Sequence, residues 1–210
     1  MYKVLSATPS PYARKVRILL AEKGVPFDLV TEVPWNDDTT TGHHNPLEKV
    51  PVLILPNGQA VYESRFICEW IAAHHPDPPL EPSDPLDRLA VRQFEVLADG
   101  ICDALILMFF ENSRGDGRSA AWFDRQLRKV DGGLRALDAM ISDGDWAWGD
   151  GFSMADISTG SVLAYIAMRW PDHPWRRRHP RLSALSDRLE TRPSFAATRP
   201  TPQRIVAQVV

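Results

Sequence analysis

Three short stretches of this 210-residue chain place hydroxyl, amide and charged groups where they could meet a small anionic ligand. The first is Ser10-Pro11. Serine is a strong N-cap and proline suits the first helical position, so the pair predicts a helix start. The ordinary reading of Ser10 is a cap worth about 1 kcal/mol. The functional reading uses the same geometry, because a hydroxyl beside unpaired N–H groups at the positive end of a helix dipole favours negative charge. A thiol with an ordinary pKa of about 8.5 must fall to about 6.5, a change of about 2.7 kcal/mol, to be mostly thiolate at neutral pH. A hydroxyl donor at a helix N-terminus is the kind of environment that achieves it.

The second stretch is Val50-Pro51. Proline at the head of a strand removes one N–H from the ladder. A cis bond there would turn the N–H and C=O of Val50 off the sheet, toward an extended ligand backbone. Only about 5–6% of X-Pro bonds are cis in folded proteins, so this stretch carries little alone. The third is Glu63-Ser64, at the head of a helix predicted over 64–74. Its ordinary reading is a cap beside a surface charge. Its functional reading sets Ser64 and the helix N–H groups against a carboxylate, and Glu63 against an ammonium. Those two charges on one carbon define an α-amino acid.

The elements that hold these residues follow from periodicity. Residues 3–7 predict a strand, and Val16, Leu19 and Leu20 mark a helix from Ser10 that Gly24 ends. Residues 27–31 are a second strand, followed by a polar stretch over 36–45. Residues 50–55 and 60–62 form a hairpin with Asn57-Gly58 as a two-residue turn. The order β-α-β, connection, β-β-α describes a small α/β domain with a mixed sheet. Four prolines then fall within residues 75–82, a stiff connector. Beyond it the strand signal ends. Helical spacing runs from Leu86 to Met108 and recurs over 122–141, 153–169 and 182–189, with Arg176-Arg177-Arg178 in a solvated loop. The expected division is an α/β domain over 1–77, a linker over 78–84 and an all-α domain over 85–210.

Composition excludes several classes. A net charge of −3 and a pI near 6.1 give no support for general binding to nucleic acid or an anionic membrane. Hydrophobic residues at 44% and charged residues at 24% are ordinary globular values, which argues against disorder. No apolar run approaches the roughly 18 residues of a membrane span, and the N-terminus enters a strand at once, without a signal peptide. Two cysteines, Cys68 and Cys102, rule out a disulfide scaffold and suggest small packing residues in a cytoplasmic protein. The histidines lack companion ligands at metal spacing, so no metal is expected.

Taken in order, Ser10-Pro11-Tyr12-Ala13-Arg14-Lys15-Val16-Arg17, then Asn45-Pro46-Leu47-Glu48-Lys49-Val50-Pro51-Val52-Leu53, then Tyr62-Glu63-Ser64, the chain resembles the glutathione S-transferase family, in particular its small bacterial Ser-type members. The likeness covers the whole chain and implies a thioredoxin-like N-terminal domain followed by an all-helical one. Phe152-Ser153-Met154-Ala155-Asp156-Ile157 matches the capped helix that the family carries in its second domain. Here Ser153 is the cap and Asp156 the N3 partner, with Phe152 and Ile157 as a hydrophobic staple. That role is folding, so Ser153 and Asp156 are not site candidates.

The resemblance implies that glutathione, as co-substrate, lies extended along the first domain. Ser10 would stabilise its thiolate, Val50 beside cis-Pro51 would pair with its cysteinyl backbone, and Glu63 and Ser64 would hold its γ-glutamyl end. Lys49, His43 and His44 are candidates for the glycyl carboxylate, and the sequence does not choose between them. Asp99 on the long helix is either a contact to the γ-glutamyl ammonium of a neighbouring subunit or a solvated charge. The electrophile site would involve Tyr12, Leu105, Met108 and Phe109, residues that could equally be core. The absence of cysteine at position 10 argues against thiol–disulfide exchange. The implied protein is a homodimeric, cytoplasmic transferase of detoxification, joining the thiolate to an apolar electrophile. The alternatives are a non-catalytic glutathione-binding or interaction module, or an isomerase, dehalogenase or ether-cleaving enzyme using the same thiolate.

Overall fold

The computed structural model describes residues 1–206, which fall into two compact units. One spans Met1–Leu80 and takes back the described residues from Thr191 onward, and the other spans Glu81–Glu190. The return of the C-terminal segment departs from the expected helical domain over 85–210, of which residues 207–210 lie outside the described residues.

The first unit contains β1 (Tyr2–Ser6), α1 (Pro11–Glu22), β2 (Phe27–Thr31), α2 (Thr41–His44), β3 (Val52–Ile54), β4 (Ala60–Tyr62) and α3 (Ser64–His74). The sheet order is β2-β1-β3-β4, with β1 parallel to β2 and antiparallel to β3, and β3 antiparallel to β4. This is the thioredoxin-like arrangement. Its core gathers Val4, Val16, Ile18, Leu20, Leu53, Ile67 and Ile71, all fully buried, each such side chain contributing about 1.5–3 kcal/mol.

Local chemistry explains where the elements differ from expectation. Pro51 has no N–H for the ladder, so β3 begins at Val52 and not at residue 50. The hairpin closes through a four-residue turn, with Gly58 N–H donating to Leu55 O at 2.9 Å and Gly58 at a φ of 85°. That turn replaces the two-residue Asn57-Gly58 turn. The polar stretch before β3 holds the unexpected α2. Glu32 gathers it, accepting from Thr39 Oγ1 at 2.7 Å, Thr40 Oγ1 at 2.6 Å and Thr40 N–H at 3.2 Å. Partial burial pushes the Glu32 carboxyl up, but these hydrogen bonds outweigh it and the net pKa lies below the ordinary value.

The second unit is all helical: α4 (Pro85–Ser113), a 3-10 turn (Gly115–Gly117), α5 (Ala120–Met140), α6 (Met154–Arg169), α7 (Trp175–Arg178) and α8 (Pro180–Leu189). Asp84 caps α4 by accepting from Leu86 N–H at 2.8 Å and Asp87 N–H at 3.0 Å. The arginine run expected in a loop forms α7. Gly133 lets α4 approach α5, since a Cβ there would stand 2.5 Å from Ile101 Cγ1. The expected capping box is present on α6: Ser153 N–H donates to Asp156 Oδ2 at 2.9 Å, and Ala147 N–H donates to Asp156 Oδ1 at 2.8 Å. Burial pushes the Asp156 carboxyl up to about 6, against the pull of those hydrogen bonds.

The C-terminal segment then rejoins the first unit. Its short helix α9 (Pro193–Ala196) packs on α1. Arg14 of α1 is buried there, donating through Nη2 to Phe195 O at 3.1 Å and through Nε to Thr198 Oγ1 at 3.4 Å. Further on, Thr8 Oγ1 donates to Thr201 O at 3.0 Å and Gln203 Nε2 donates to Glu32 O at 3.0 Å.

Candidate functional site

Strand register brings the three sequence stretches to one edge of the sheet. Leu5 of β1 pairs with Val52 of β3, and Val52 pairs with Tyr62 of β4. The exit from β1, the entry to β3 and the exit from β4 therefore lie side by side. Ser10 follows the first, Val50-Pro51 precedes the second, and Glu63-Ser64 follows the third. Two strand spacings, about 10 Å, separate the outer stretches. That is the length of about three extended residues.

Ser10 is the N-cap of α1, as the sequence predicts. Its Oγ accepts from Ala13 N–H at 3.2 Å. Its own N–H is tied to Ala7 O at 3.0 Å, closing the turn after β1. Capping uses a lone pair of the hydroxyl and leaves its proton, which has no acceptor among the described residues. The cap reading and the donor reading are thus compatible in one group.

Val50 stands before the ladder, half-buried, and its peptide bond to the buried Pro51 is cis. Neither the N–H nor the C=O of Val50 has a partner among the described residues. The loop that presents it is organised by Asn45, which is buried. Asn45 Nδ2 donates to Lys49 O at 2.8 Å, and Leu47 N–H donates to Asn45 Oδ1 at 3.0 Å. Sequence reasoning missed this role, although an Asn-Pro pair is a recognised turn opener.

The third stretch corrects the expected cap. Glu63, not Ser64, caps α3: its Oε2 accepts from Arg65 N–H at 3.1 Å and Phe66 N–H at 3.3 Å. Ser64 is buried and donates through Oγ to Glu63 Oε1 at 3.2 Å. Glu63 has a φ of 73°, a left-handed conformation that costs a non-glycine residue about 1–3 kcal/mol and clusters at functional sites.

The remaining candidates are less concentrated. Lys49 and His43 are exposed and His44 is half-buried. Tyr12 is half-buried on α1 of the first unit. In the second unit Leu105 and Met108 are buried on α4, while Phe109 is half-buried with the Arg169 guanidinium 4.4 Å from its ring centre. Asp99 is buried, so it is not a solvated helix charge. Cys68 and Cys102 are buried and form no disulfide. Among the described residues no cluster of three His, Cys, Asp or Glu could hold a metal, and no helix is long and apolar enough to cross a membrane.

Comparison with known proteins shows the family. Residues 9–74 match the N-terminal domain model of glutathione S-transferases, and residues 120–188 match the C-terminal domain model. The GST-like protein YibF of Escherichia coli K12, itself uncharacterized, is 36% identical over 94% of this chain and 98% of its own. A glutathione S-transferase from Methylobacterium radiotolerans, solved with glutathione sulfonate, is 58% identical with a TM-score of 0.98, covering 100% of this chain and 99% of that one. Another, from Methylobacillus flagellatus with glutathione bound, is 38% identical with a TM-score of 0.91, covering 96% and 100%.

Proposed function

Because the chain belongs to the glutathione S-transferase family, we propose that it binds glutathione along the sheet edge and attacks an electrophile with the bound thiolate. The observation that carries this reading is the spare proton of Ser10, whose Oγ spends only a lone pair on Ala13 N–H at 3.2 Å. A thiolate accepting that proton at the N-terminus of α1 gains a donor and the positive end of the dipole together. In the reaction the sulfur forms a new bond to an electrophilic carbon, the leaving group departs with its electron pair, and the thiol proton passes to solvent.

The other residues take consistent places. The free N–H and C=O of Val50 suit the cysteinyl backbone. The amino-acid end of glutathione suits the Ser64 hydroxyl, which would turn from Glu63 Oε1 to the ligand carboxylate, with Glu63 near the ammonium. Lys49, His43 or His44 meets the glycyl carboxylate. Tyr12, on the same helix as Ser10, is proposed as a wall of the electrophile side. The extended tripeptide matches the roughly 10 Å between the outer stretches. The relatives solved with glutathione or its sulfonate support this assignment.

A homodimer completes the proposal. Leu86, Leu89 and Val96 follow one another at helical spacing on α4 and are 75%, 62% and 48% exposed. A stripe of that kind favours a second copy of the same face. Light scattering at micromolar protein reads the mass, and a monomer would refute this part.

Turnover of glutathione with a neutral chloronitroaromatic tests the reading, alongside the ultraviolet absorbance of the bound thiolate against pH. Wild-type protein is expected to turn over the pair and to bind glutathione with its thiol pKa below the free value. Glutathione binding without turnover of any activated aryl halide would make the protein a binding module instead.

A further inference from the structure

We propose that Thr8 is a positioning residue: held by Thr201 of the returning C-terminal segment, it fixes the turn that presents the Ser10 hydroxyl. This rests on the glutathione reading above and adds the part of the first unit that aims its thiolate donor. β1 ends at Ser6 and α1 begins at Pro11, so Ala7-Thr8-Pro9-Ser10 belongs to neither element. Ser10 N–H, donating to Ala7 O at 3.0 Å, closes these residues into a turn with Thr8 and Pro9 at its centre. Pro9 has no N–H, so Thr8 carries most of the polar handles in the middle of the turn. Thr201 engages two of them. Thr8 Oγ1 donates to Thr201 O at 3.0 Å, and Thr201 N–H donates to Thr8 O at 3.4 Å. Pro200 and Pro202 flank Thr201 and restrict the backbone that makes this grip.

The same segment holds the other side of Ser10. One helical turn along α1, Arg14 N–H donates to Ser10 O at 3.0 Å. The Arg14 guanidinium is buried, donating to Phe195 O at 3.1 Å and to Thr198 Oγ1 at 3.4 Å. Thr198 is fixed in turn, its Oγ1 donating to Ser194 O at 2.8 Å. Ser10 therefore stands between two attachments, Thr8 before it and Arg14 after it, to one support 181 to 193 residues further along the chain. The cap bond from Ala13 N–H sets how the Ser10 oxygen faces the helix, and the turn sets where that oxygen stands. Placement matters because an error of about 1 Å can cost roughly 100-fold in rate. One hydrogen bond at Thr8 is a modest restraint, so its removal loosens the aim without abolishing it.

The test uses full-length Thr8→Val, which keeps the side-chain shape and removes the donor, beside Thr8→Ser, which restores it. The ultraviolet absorbance of bound thiolate is titrated against pH with the protein saturated by glutathione, and turnover of a neutral chloronitroaromatic is followed alongside. In Thr8→Val the midpoint of the bound thiol is expected to rise by about 0.4–1 pH unit, the scale of one ordinary hydrogen bond. From about 6.5, the larger rise leaves about a quarter of the thiol ionised at pH 7 and lowers turnover about threefold. By about pH 9.5 the two rates converge, because the thiol then ionises without help. Thr8→Ser returns the midpoint to the wild-type value. Tyr12, Arg14 and Lys15, the titratable side chains next along α1, are the same in all three proteins. A merely structural tie lowers the melting temperature and leaves the midpoint where it is, and that result overturns the proposal. The absorbance needs no electrophile, so it separates two failures. A wild-type midpoint at the value of free glutathione removes the Ser10 reading itself, and Thr8 with it. A lowered wild-type midpoint that Thr8→Val leaves unmoved removes Thr8 alone.

Discussion

Arg192 holds Glu22 in a two-point fork, with Nε donating to Oε1 at 3.0 Å and Nη2 to Oε2 at 2.6 Å, while Ser194 Oγ donates to the same carboxylate. The pair fastens the returning C-terminal segment to the end of α1. Burial raises the Glu22 carboxyl, but the hydrogen bonds and the guanidinium charge outweigh it and the net pKa falls below the ordinary 4.5. Arg192→Met is expected to lower stability by about 1.5–3 kcal/mol at neutral pH, the scale of hydrogen bonds to a charged group. A carboxyl with a depressed folded pKa contributes stability above its unfolded value and loses it as pH falls through the folded one. The gap between wild type and Arg192→Met should therefore shrink in acid, below the ordinary carboxylate range, in denaturant titrations across pH.

Ser10→Ala removes a cap and a donor together, and two measurements separate them. Loss of the cap should cost about 1 kcal/mol in chemical denaturation. Loss of the donor should move the bound thiol toward its free pKa and cut turnover at neutral pH by up to about 25-fold, since a rise from about 6.5 to about 8.5 takes the thiolate from about three quarters to about 3% of the bound thiol at pH 7. Full turnover with an unchanged pH–rate profile would place the thiolate donor elsewhere, with Tyr12 the next hydroxyl to test.

Ser64→Ala should weaken glutathione binding roughly tenfold to hundredfold, through loss of one charge-assisted hydrogen bond. Because Glu63 supplies the cap of α3, the fold should lose little. Glu63→Ala should do the reverse to the helix, releasing the N–H groups of Arg65 and Phe66. Calorimetry for affinity and thermal melts for stability distinguish the two variants. Unchanged affinity in Ser64→Ala would withdraw the γ-glutamyl assignment.

Asp156 gives a pH signature of the opposite sign. Its folded pKa of about 6 exceeds the ordinary 3.8, so its contribution to stability is full below the unfolded value and is lost as pH rises through the folded one. A difference of that size between the folded and unfolded chain corresponds to about 3 kcal/mol. Asp156→Asn should remove that loss between about pH 4 and 7, while also weakening the box at the start of α6. Melting curves across that window, compared with wild type, decide it; a parallel pH dependence in the two proteins would refute the assignment.

Periodicity and turn chemistry made most of the fold legible. Ser10-Pro11 announced α1, and Phe27–Thr31 matched β2 residue for residue. The capping box on α6 could be read because its reporters are four residues of one segment. What escaped depends on contacts distant in sequence. Nothing local to Arg14 says that it is buried beside Phe195 and Thr198, two acceptors from the far end of the chain. α2 was hidden because the carboxylate that gathers it lies at Glu32, outside the helix. The cap of α3 was misassigned by one residue because Glu63 adopts a backbone conformation that glutamate seldom takes.

The division of the first unit along the chain has a consequence for biosynthesis. Its sheet and α1 leave the ribosome early, but the segment from Thr191 that covers Arg14 and grips Glu22 emerges only after the whole of Glu81–Glu190. At about 5–20 residues per second, that delay is roughly 5–20 s. During this interval the nascent α/β half presents Arg14 without Phe195 and Thr198, and Glu22 without Arg192 and Ser194, and translation arrested there would leave the half unfinished however well its sheet had formed.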